Sequence, residues 1–509
     1  MSAGAITDCS QASPGDVTVE VCVIGSGSGG ATAAWELAKA GRDVLVLEEG
    51  GDYTGRALTQ RDGAMYDQLY MDRGGRATSD LSIAVLQGRV LGGGGVINAS
   101  DVVPIDDDVA RHWQKKFGLS GFGPESLEPF RKAALEDLSA NRPADELLNR
   151  NNQLLRDGAG KLGWKGEVML HNRVGCVGSG TCLIGCAFDA KRNPRFVAIP
   201  RALEAGARVF TRARAVRLDD AGKELKRVAV RCLDAKGYHE GAAFTVRARH
   251  VVLAANAVSS AELLLKSGLG NEHVGHHLSL QPQLPVTVRY DDEVRFFRGI
   301  PQAYAVTQFE QREHPEHGWW GFRLEAIAGT PGIVGSLLPE VGAPGLELMR
   351  GYSKLGAALL LLPDAMQGRV RVESSGRLRI DYALDEELRG RFREAVKAMA
   401  RLSLAVGAKE VYVPSVPPVR VRSEAELGNV DGLTLAPTTA PLLSAHQQGT
   451  VRMAPNERDG AASPEGEVYG TRGVFVFDSS GFPSSASSHT MAPIITVSRM
   501  LARQLAARG

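Results

Sequence analysis

Residues 18–50 constrain the fold of this chain more than any other stretch, because they have the pattern of a β-strand, a glycine turn, a helix and a second β-strand. The first strand, Val19 to Ile24, is a short β-branched run of the kind that is buried on both faces of a parallel sheet. The second strand, Val44 to Leu47, ends at Glu48. This order predicts a Rossmann-like α/β domain.

The glycines between the first strand and the helix predict a dinucleotide site. Gly25 permits the tight turn, Gly27 lets the backbone approach a pyrophosphate, and Gly30 lets the helix pack against the strand. The helix N-terminus favours the phosphates, and Glu48 can accept hydrogen bonds from the hydroxyls of an adenosine ribose. This carboxylate disfavours NADP, whose 2′-phosphate it would repel, but it does not separate NAD from FAD. A purely structural turn is the alternative.

A run of four glycines, Gly92 to Gly95, lies in the segment QGRVLGGGGVINAS at 87–100. Because glycine loses more backbone entropy on folding than any other residue, such a run is not expected inside a helix or a strand. Its apolar flanks, such as Val90 and Ile97, favour burial over a flexible surface linker. We therefore expect this backbone to lie against a flat or charged ligand.

The same segment resembles the GRxLGGSSxxN motif of the glucose-methanol-choline family of FAD oxidoreductases. Gly94 and Gly95 stand in place of the two serines of that motif. The resemblance implies that FAD is the cofactor and that the loop lies along its pyrophosphate and isoalloxazine. The cofactor contacts implied in this loop are Gly88, Arg89, Gly92, Gly93, Gly94 and Asn98.

Residues 250–270 resemble a second motif of the family, an apolar strand followed by GAxxSPxxLLxSGxG. Asn256 stands in place of its first glycine and Ala261 in place of its proline. Val216 lies in a segment that is similar to the family strand that passes the adenine. The resemblance therefore implies a further cofactor contact at Val216.

Two of the 11 histidines lie in C-terminal segments that are similar to the family's. His446 precedes Gly449 and Thr450 in the pattern HxxGTxxM. His489 follows the segment that begins at Asp478 and matches the pattern DxSxxP. The resemblance implies a catalytic pair of histidines, as in members that oxidise glucose and aryl alcohols.

The chemistry of an imidazole agrees with the oxidation of an alcohol to an aldehyde or ketone. An imidazole with a pKa near the ordinary value of about 6.5 can accept the hydroxyl proton while the carbon gives a hydride to flavin N5. We predict that His446 is the base and that His489 positions the substrate, although neighbouring imidazoles titrate as a pair and the two roles can be exchanged. Oxygen or another acceptor would then take the electrons.

The end of the chain supplies further predicted cofactor contacts. Pro493 favours the first turn of a helix, whose positive end would face the flavin pyrimidine. Asp478 and Ser480, after the strand at 474–477, are predicted to contact the ribityl chain. Met491, at the start of the helix, is also predicted to contact the cofactor.

Three cysteines, Cys176, Cys182 and Cys186, have a spacing at which thiolates can hold an iron–sulfur cluster. Some dehydrogenases of the family carry such a cluster on a loop with an additional cysteine directly after the first, where this chain has Val177. We therefore predict reduced thiols beside the active site and no metal. A cluster is the alternative.

The chain is predicted to form two discontinuous domains. The FAD-binding domain comprises residues 15–105, 205–285 and 430–509, and the cap and substrate domain comprises residues 106–204 and 286–429. Alternating strand-like segments in the second domain predict a mostly antiparallel sheet with helices, which makes this domain α+β. Its many apolar side chains form either its core or a pocket for a hydrophobic alcohol.

Composition excludes several partners. The 59 Lys and Arg residues against 58 Asp and Glu residues give a net charge of +1 without a basic run, so nucleic acid is not an expected partner. The longest apolar run, at 355–362, is too short to span a bilayer, and the N-terminus lacks the pattern of a secretory signal. We therefore predict a cytoplasmic protein without a membrane span.

Two other functions are compatible with these patterns. The same fold could use FAD without net redox chemistry, as a lyase or a decarboxylase. The chain could also be a non-catalytic flavin-binding redox module. No motif identifies the alcohol, the electron acceptor or the oligomeric state.

Overall fold

The computed structural model of the chain describes residues 4–486 and 488–508. The strands, numbered in chain order, are β1 (Ile6–Asp8), β2 (Val17–Ile24), β3 (Val44–Leu47), β4 (Ile83–Val85), β5 (Asp101–Val102), β6 (Gly166–Val168), β7 (Leu170–His171), β8 (Arg208–Thr211), β9 (Ala213–Asp219), β10 (Lys226–Leu233), β11 (Glu240–Leu253), β12 (Gln283–Arg289), β13 (Tyr304–Val306), β14 (Glu310–His314), β15 (Gly318–Gly321), β16 (Arg323–Ala326), β17 (Leu355–Leu361), β18 (Arg369–Val372), β19 (Leu378–Asp381), β20 (Glu410–Val413), β21 (Val419–Val421), β22 (Leu442–Ser444) and β23 (Val474–Val476). The helices are α1 (Ser28–Lys39), α2 (Asp62–Leu69), α3 (Gly94–Ile97), α4 (Asp107–Lys116), α5 (Pro124–Asp137), α6 (Arg150–Lys161), α7 (Ala198–Glu204), α8 (Ala257–Ser267), α9 (Pro331–Leu337), α10 (Ala343–Arg350), α11 (Glu386–Ala405) and α12 (Met491–Ala507).

The first sheet has the strand order β1-β8-β3-β2-β11-β10-β9, and β23 also pairs with β11. Strand β2 lies between β3 and β11 and runs parallel to both. Its residues from Val21 to Ile24 are all buried, as expected for a strand covered on both faces. The predicted order of strand, turn, helix and strand in residues 18–50 is therefore confirmed, and so is the Rossmann-like fold.

The carboxyl ends of the parallel strands meet at one edge of this sheet. Ile24 of β2 is in register with Leu47 of β3 and with Leu253 of β11, and Leu253 is in register with Val476 of β23. Ligands of open α/β sheets bind in the crevice outside these carboxyl ends. The turns that follow the strands therefore converge on one place.

The second sheet has the strand order β21-β20-β12-β17-β16-β13-β6, and all these neighbours are antiparallel. The mostly antiparallel second sheet predicted from the sequence is thus confirmed. The apolar run at 355–362 forms its central strand β17. Strands β4 and β22, from the sequence ranges assigned to the FAD-binding domain, also join this sheet. The proposed domain limits stay a prediction.

The four-glycine run differs from the expectation. A short helix, α3, begins at Gly94, whereas the sequence predicted no helix within the run. Gly92 and Gly93 have positive φ angles of 101° and 56°, which make the bend that precedes α3. A Cβ on Gly95 would lie 2.5 Å from Pro194 Cδ, so close packing explains the glycine inside this helix.

Helix α12 packs against α1 and thereby brings its N-terminus to the glycine turn. Ser498 Oγ donates a hydrogen bond to the carbonyl oxygen of Gly29 at 2.8 Å. A Cβ on Gly29 would lie 3.2 Å from Ile494 Cγ2. Within residues 4–486 and 488–508, no helix has both the length and the apolar character needed to cross a membrane.

Candidate active site

A cavity of about 590 Å³ runs from the carboxyl edge of the first sheet to the face of the second sheet. Its size is within the range of small-molecule sites, roughly 300–1,000 Å³. It brings together most residues that the sequence singled out. Those that line it are Gly25, Gly27, Glu48, Gly88, Arg89, Gly93, Gly94, Asn98, Val216, His446, Asp478, His489 and Met491.

The two glycine segments meet in this cavity and leave room for a ligand backbone. Gly93 has a φ of +56°, and a Cβ there would lie 2.7 Å from the Cα of Gly27. The two turns therefore touch, and their lack of side chains leaves a bare groove along the cavity wall. A Cβ on Gly93 would clash with Gly27, whereas a Cβ on Gly27 would meet Gly93 Cα only at 3.8 Å. The groove suits an extended pyrophosphate, which needs close approach of the backbone.

Glu48 closes one end of this groove. Its Oε2 accepts hydrogen bonds from the backbone N–H and the Oγ of Ser26, and its Oε1 accepts one from the N–H of Gly50. Burial raises the pKa of the Glu48 carboxyl, while these hydrogen bonds act in the opposite direction. Each carboxylate oxygen can accept more than one hydrogen bond, so Glu48 can still bind a ribose hydroxyl.

Three predicted contact residues do not line the cavity. A Cβ on Gly30 would lie 1.9 Å from the carbonyl oxygen of Gly25, so Gly30 permits the close approach of α1. The N–H of Gly92 donates to Ser26 Oγ at 3.0 Å. Ser480 is fully buried, and its Oγ donates to Asp478 Oδ1 at 2.5 Å. Direct contact of these residues with a cofactor stays a prediction.

Asp478 lies after β23 and is held by several donors. Its Oδ2 accepts hydrogen bonds from Ser260 Oγ at 2.6 Å and from the N–H of Asn256 at 3.0 Å. Burial raises the pKa of the Asp478 carboxyl, and the hydrogen bonds oppose this effect. The carboxylate therefore has a fixed orientation at the cavity wall.

Asn98 and Met491 lie together where the glycine loop meets α12. Asn98 Nδ2 lies 3.3 Å from the sulfur of Met491. Met491 is the first residue of α12, whose N-terminal end faces the cavity through Met491 and Ile494. The helix dipole gives this part of the cavity a positive potential.

The two histidines predicted from the C-terminal motifs are neighbours. Their ring centroids are 5.0 Å apart, and the planes of the rings make an angle of 62°. Both imidazoles line the cavity, and both residues are buried. Sequence segments far from each other therefore place two imidazoles at one point of the wall.

His446 is the neutral member of the pair. Its Nδ1 lies 2.6 Å from Gln281 Oε1 and 3.0 Å from Gln283 Nε2. The closer contact is to an acceptor oxygen and favours a proton on Nδ1, with Nε2 as the acceptor atom, whereas the amide nitrogen of Gln283 at the same Nδ1 favours the other tautomer. Burial and the nearby charge of His489 lower the pKa of His446 to about 3.

His489 has the opposite charge preference. Burial lowers its pKa, but the nearby carboxylates of Glu325 and Asp101 outweigh burial and raise the pKa above the ordinary value. Its Nε2 lies 3.3 Å from Glu325 Oε2 and 3.9 Å from Asp101 Oδ2. The protonated form of His489 is therefore favoured, and its charge lies inside the cavity wall.

Several polar residues around the histidines were not identified from the sequence: Gln281, Gln283, Gln302, Asp101, Arg323 and Glu325. A signal exists for two of them. In strand β16, Arg323 and Glu325 alternate with the apolar Leu324 and Ala326, and all four are buried. Charged residues on one face of a buried strand indicate a polar site.

Beyond the histidines, the wall of the cavity is largely apolar. The apolar side chains come from the second sheet and from α9 with its flanking residues, and they include Val286, Phe296, Ile327, Ile333, Val334, Leu337, Leu338, Leu359 and Leu361. The start of α9 is tied to α2, because Thr330 Oγ1 donates to Asp62 Oδ1 at 2.6 Å.

The three clustered cysteines lie outside this cavity. Cys176 is exposed, Cys186 is half-buried and Cys182 is buried, and all three are free thiols. In the part of the chain that the structure describes, no group of three or more His, Cys, Asp and Glu side chains is placed to hold a metal ion. The buried Lys191 donates to the carbonyl oxygens of Val96, Asn98 and Cys182 and so ties this loop to the glycine loop.

Comparison with known families agrees with this geometry. Two family models described as GMC oxidoreductase match residues 66–283 and 363–498. A third, described as an NAD(P)-binding Rossmann-like domain, matches residues 23–84. Together the two GMC matches cover more than half of the chain.

Individual relatives extend the match along nearly the whole chain. An uncharacterized GMC-type oxidoreductase of Mycobacterium tuberculosis is 32% identical over 97% of this chain and 77% of its own length. A long-chain-alcohol oxidase of Arabidopsis thaliana is 28% identical over 94% of this chain and 66% of its own length. The crystal structure of pyridoxine 4-oxidase from Mesorbium loti has a TM-score of 0.72 at 18% identity and covers 96% of this chain and 99% of that chain.

The cavity fits the cofactor of that family. It extends from Glu48 and Val216, past the touching glycine turns at Gly27 and Gly93, to the paired imidazoles. A dinucleotide with a flat ring system needs this length, a groove without side chains and a polar far end. The chain belongs to the GMC oxidoreductase family, and FAD is its cofactor.

Proposed function

We propose that this chain oxidises an alcohol with an apolar body to an aldehyde or ketone, with His446 as the base and His489 as the residue that positions the reacting oxygen. The observation that carries the proposal is the opposite charge preference of two imidazoles whose centroids lie 5.0 Å apart. Pairs of titratable groups whose environments move their pKa values apart are typical of acid–base sites.

His446 is neutral and can therefore act as a proton acceptor. Because its pKa is about 3, the imidazole is neutral at physiological pH and its Nε2 can accept a hydroxyl proton, although the same low pKa makes it a weak base in the resting site. The hydrogen bond between Nδ1 and Gln281 favours this tautomer. Gln283 Nε2 contacts the same Nδ1 atom at 3.0 Å.

His489 complements this role. A protonated imidazole can donate a hydrogen bond to the alcohol oxygen and stabilise the negative charge that develops as its proton leaves. FAD, when bound, supplies the acceptor for the hydride that leaves the carbon. Oxygen or another acceptor for the electrons stays a prediction, as does a cytoplasmic location.

The preference for an apolar alcohol rests on the wall beyond the histidines. Ile333, Val334 and Leu337 contribute to a surface that can bury an alkyl or aromatic group. The similarity to long-chain-alcohol oxidases of Arabidopsis thaliana supports the same substrate class.

Anaerobic reduction of the bound flavin tests the proposal. We expect apolar alcohols to bleach the flavin of the wild-type protein, and His446→Ala to keep its FAD but slow bleaching by about 10²- to 10⁴-fold. His250→Ala is the matched control, since His250 lies on β11 and does not line the cavity. Unchanged bleaching in His446→Ala would exclude His446 as the base, and no bleaching by any alcohol would favour a function without alcohol oxidation.

A further inference from the structure

We propose that Glu325, supported by Arg323, is a positioning residue that holds a proton on His489, and that Asp101, the second carboxylate beside His489, keeps its proton in the resting site on the acid side of neutrality. The importance of this arrangement for alcohol oxidation rests on the function proposed above. The assignment of the protons rests on the contacts, the burial and the charges of the side chains and does not depend on that function.

Two carboxylates approach the same nitrogen of His489. Glu325 Oε2 lies 3.3 Å from Nε2, and Asp101 Oδ2 lies 3.9 Å from it. The two carboxylates come from different parts of the fold, since Glu325 is on β16 and Asp101 is on β5. Two buried carboxylates that share one cation do not both ionise readily, so one of them is expected to keep its proton.

The surroundings of Glu325 favour its ionised form. Arg323 Nε lies 2.8 Å from Glu325 Oε1, and Gln302 Nε2 donates to Glu325 Oε2. Burial raises the pKa of Glu325, but His489 and Arg323 outweigh this effect and lower it to about 2. Glu325 is therefore charged throughout the physiological range.

Asp101 is in a different position. Neither of its carboxylate oxygens has a hydrogen-bond partner among the described residues, and its side chain is 1% exposed. A buried carboxylate without donors is costly when charged, whereas the neutral acid is tolerated. Burial raises the pKa of Asp101 to about 7, although His489 and Arg173 oppose the effect.

Arg323 also fixes the other side of the His489 ring. Its Nη1 donates to Ser488 Oγ at 2.7 Å, and Ser488 Oγ lies 3.1 Å from His489 Nδ1. Glu325 contacts Nε2 of the same ring, so the two residues hold both nitrogens. The arrangement sets the orientation as well as the charge of the imidazole.

The other charged groups near this assembly do not reverse the assignment. Among the described residues, His446 also lies beside His489, and it is neutral. Arg173 and Lys191 act on Asp101 and favour its charged form, but burial outweighs them.

Arg323 also faces two further carboxylates, Glu310 at 3.3 Å and Glu167 at 3.8 Å. These carboxylates help to balance the charge of the Arg323 guanidinium. Removal of Glu325 would therefore leave Arg323 with anionic partners but would take the nearest anion from His489.

The charge of each histidine can be measured by hydrogen–deuterium exchange at the imidazole C2 position, followed by mass spectrometry of peptides. The experiment uses the FAD-loaded protein without alcohol. We expect His489 to titrate above the ordinary value of about 6.5 in the wild-type protein. A titration midpoint of His489 at or below that value in the wild-type protein would overturn the proposal, even if no variant folded.

Three variants separate the roles. In Glu325→Gln, we expect the His489 midpoint to fall below about 6.5, because burial then acts without its nearest anion. In Asp101→Asn, which imitates the neutral acid, we expect the midpoint to stay above that value. Glu410→Gln is the matched control, because Glu410 is a buried glutamate of the same sheet that accepts hydrogen bonds from Arg420 and Arg422.

An unchanged midpoint in Glu325→Gln, or a fall in Asp101→Asn instead, would contradict the assignment. A fall in Glu410→Gln of the same size would also contradict it, since the effect would then be a general consequence of losing a buried carboxylate. Because no alcohol is present, failure of the proposed oxidation leaves this measurement valid. The expected midpoints together with a flavin that no alcohol reduces would support the proton assignment and refute the proposed function.

Discussion

Asn256 Nδ2 donates a hydrogen bond to Gln447 Oε1 at 3.0 Å, and this contact joins the N-terminus of α8 to the segment that carries His446. The N–H of Asn256 also donates to Asp478. Its φ angle is +81°, in the left-handed region that favours glycine. The residue that replaces a glycine of the family motif thus connects three parts of the site, at the cost of backbone strain.

This connection predicts the order of stability of two variants. Asn256→Ala loses the side-chain cap that accepts from the N–H of Val258 and keeps the strained φ, so it should lower the free energy of unfolding by about 1–3 kcal/mol. Asn256→Gly loses the same cap but relieves the strain, and should be about 1 kcal/mol more stable than Asn256→Ala. Urea unfolding of both variants checks the order. Equal stabilities would mean that the backbone at this position is not strained.

A second prediction concerns the groove that the touching glycine loops form along the cavity wall. Gly93→Ala would place a Cβ 2.7 Å from the Cα of Gly27, so we expect the purified variant to lose most of its FAD. Gly41→Ala is the control, because Gly41 also has a positive φ but a Cβ there meets nothing within 4 Å. The ratio of flavin absorbance to protein absorbance measures the effect. Full FAD occupancy in Gly93→Ala would show that the groove does not hold the cofactor backbone.

These loops were also the part of the site that the sequence predicted best. The order of strand, turn, helix and acidic residue in residues 18–50 is a local pattern. Positions that need a positive φ or a close approach of the backbone are occupied by glycine, which the sequence shows directly. The meeting of Gly27 with Gly93 is not local in this sense, because Gly27 follows β2 of the first sheet whereas the strand before Gly93 is β4 of the second sheet. The helix that begins at Gly94 was missed, because glycine has a low helix propensity and Gly95 is required by packing against Pro194, which no local pattern shows.

The charges of the histidines could not be predicted in the same way. His446 and His489 are the same residue type, and each lies in a motif that indicates catalysis. Their difference arises because the carboxylate of Glu325 lies beside His489, whereas burial and the charge of His489 act on His446, whose Nδ1 contacts the uncharged Gln281. Those contacts depend on how β12 and β16 lie in the second sheet, which no local pattern specifies.

A third prediction tests the apolar wall. Leu337 lines the cavity, so Leu337→Gln should lower kcat/KM for apolar alcohols by about 10-fold. The effect should be mainly on KM, because the lost contact binds the substrate equally in the ground state and in the transition state. Leu346→Gln is the matched control on the neighbouring α10, since Leu346 is 53% exposed and does not line the cavity. Steady-state kinetics with alcohols of increasing chain length measure both. An equal loss of kcat/KM in the two variants would mean that any polar substitution in α9 or α10 has this effect, and that the cavity wall is not its cause.

The last prediction is the pH dependence of flavin reduction by an alcohol. His446 must be neutral to accept a proton, and its pKa of about 3 keeps it neutral at every pH at which the protein is used. His489 must be protonated, and its raised pKa means that the proton is lost only as the pH rises through that value. The rate constant of flavin reduction should therefore be constant on the acid side of neutrality and fall about tenfold per pH unit at high pH.

In Glu325→Gln the fall should begin at lower pH, because the anion that holds the proton is gone, while Glu410→Gln should keep the wild-type profile. Anaerobic stopped-flow measurements across this range give the profile directly. A rate that instead increases as the pH rises through about 6.5 would mean that the reaction needs a histidine to lose its proton in this range, and the charges assigned to the two imidazoles would be wrong.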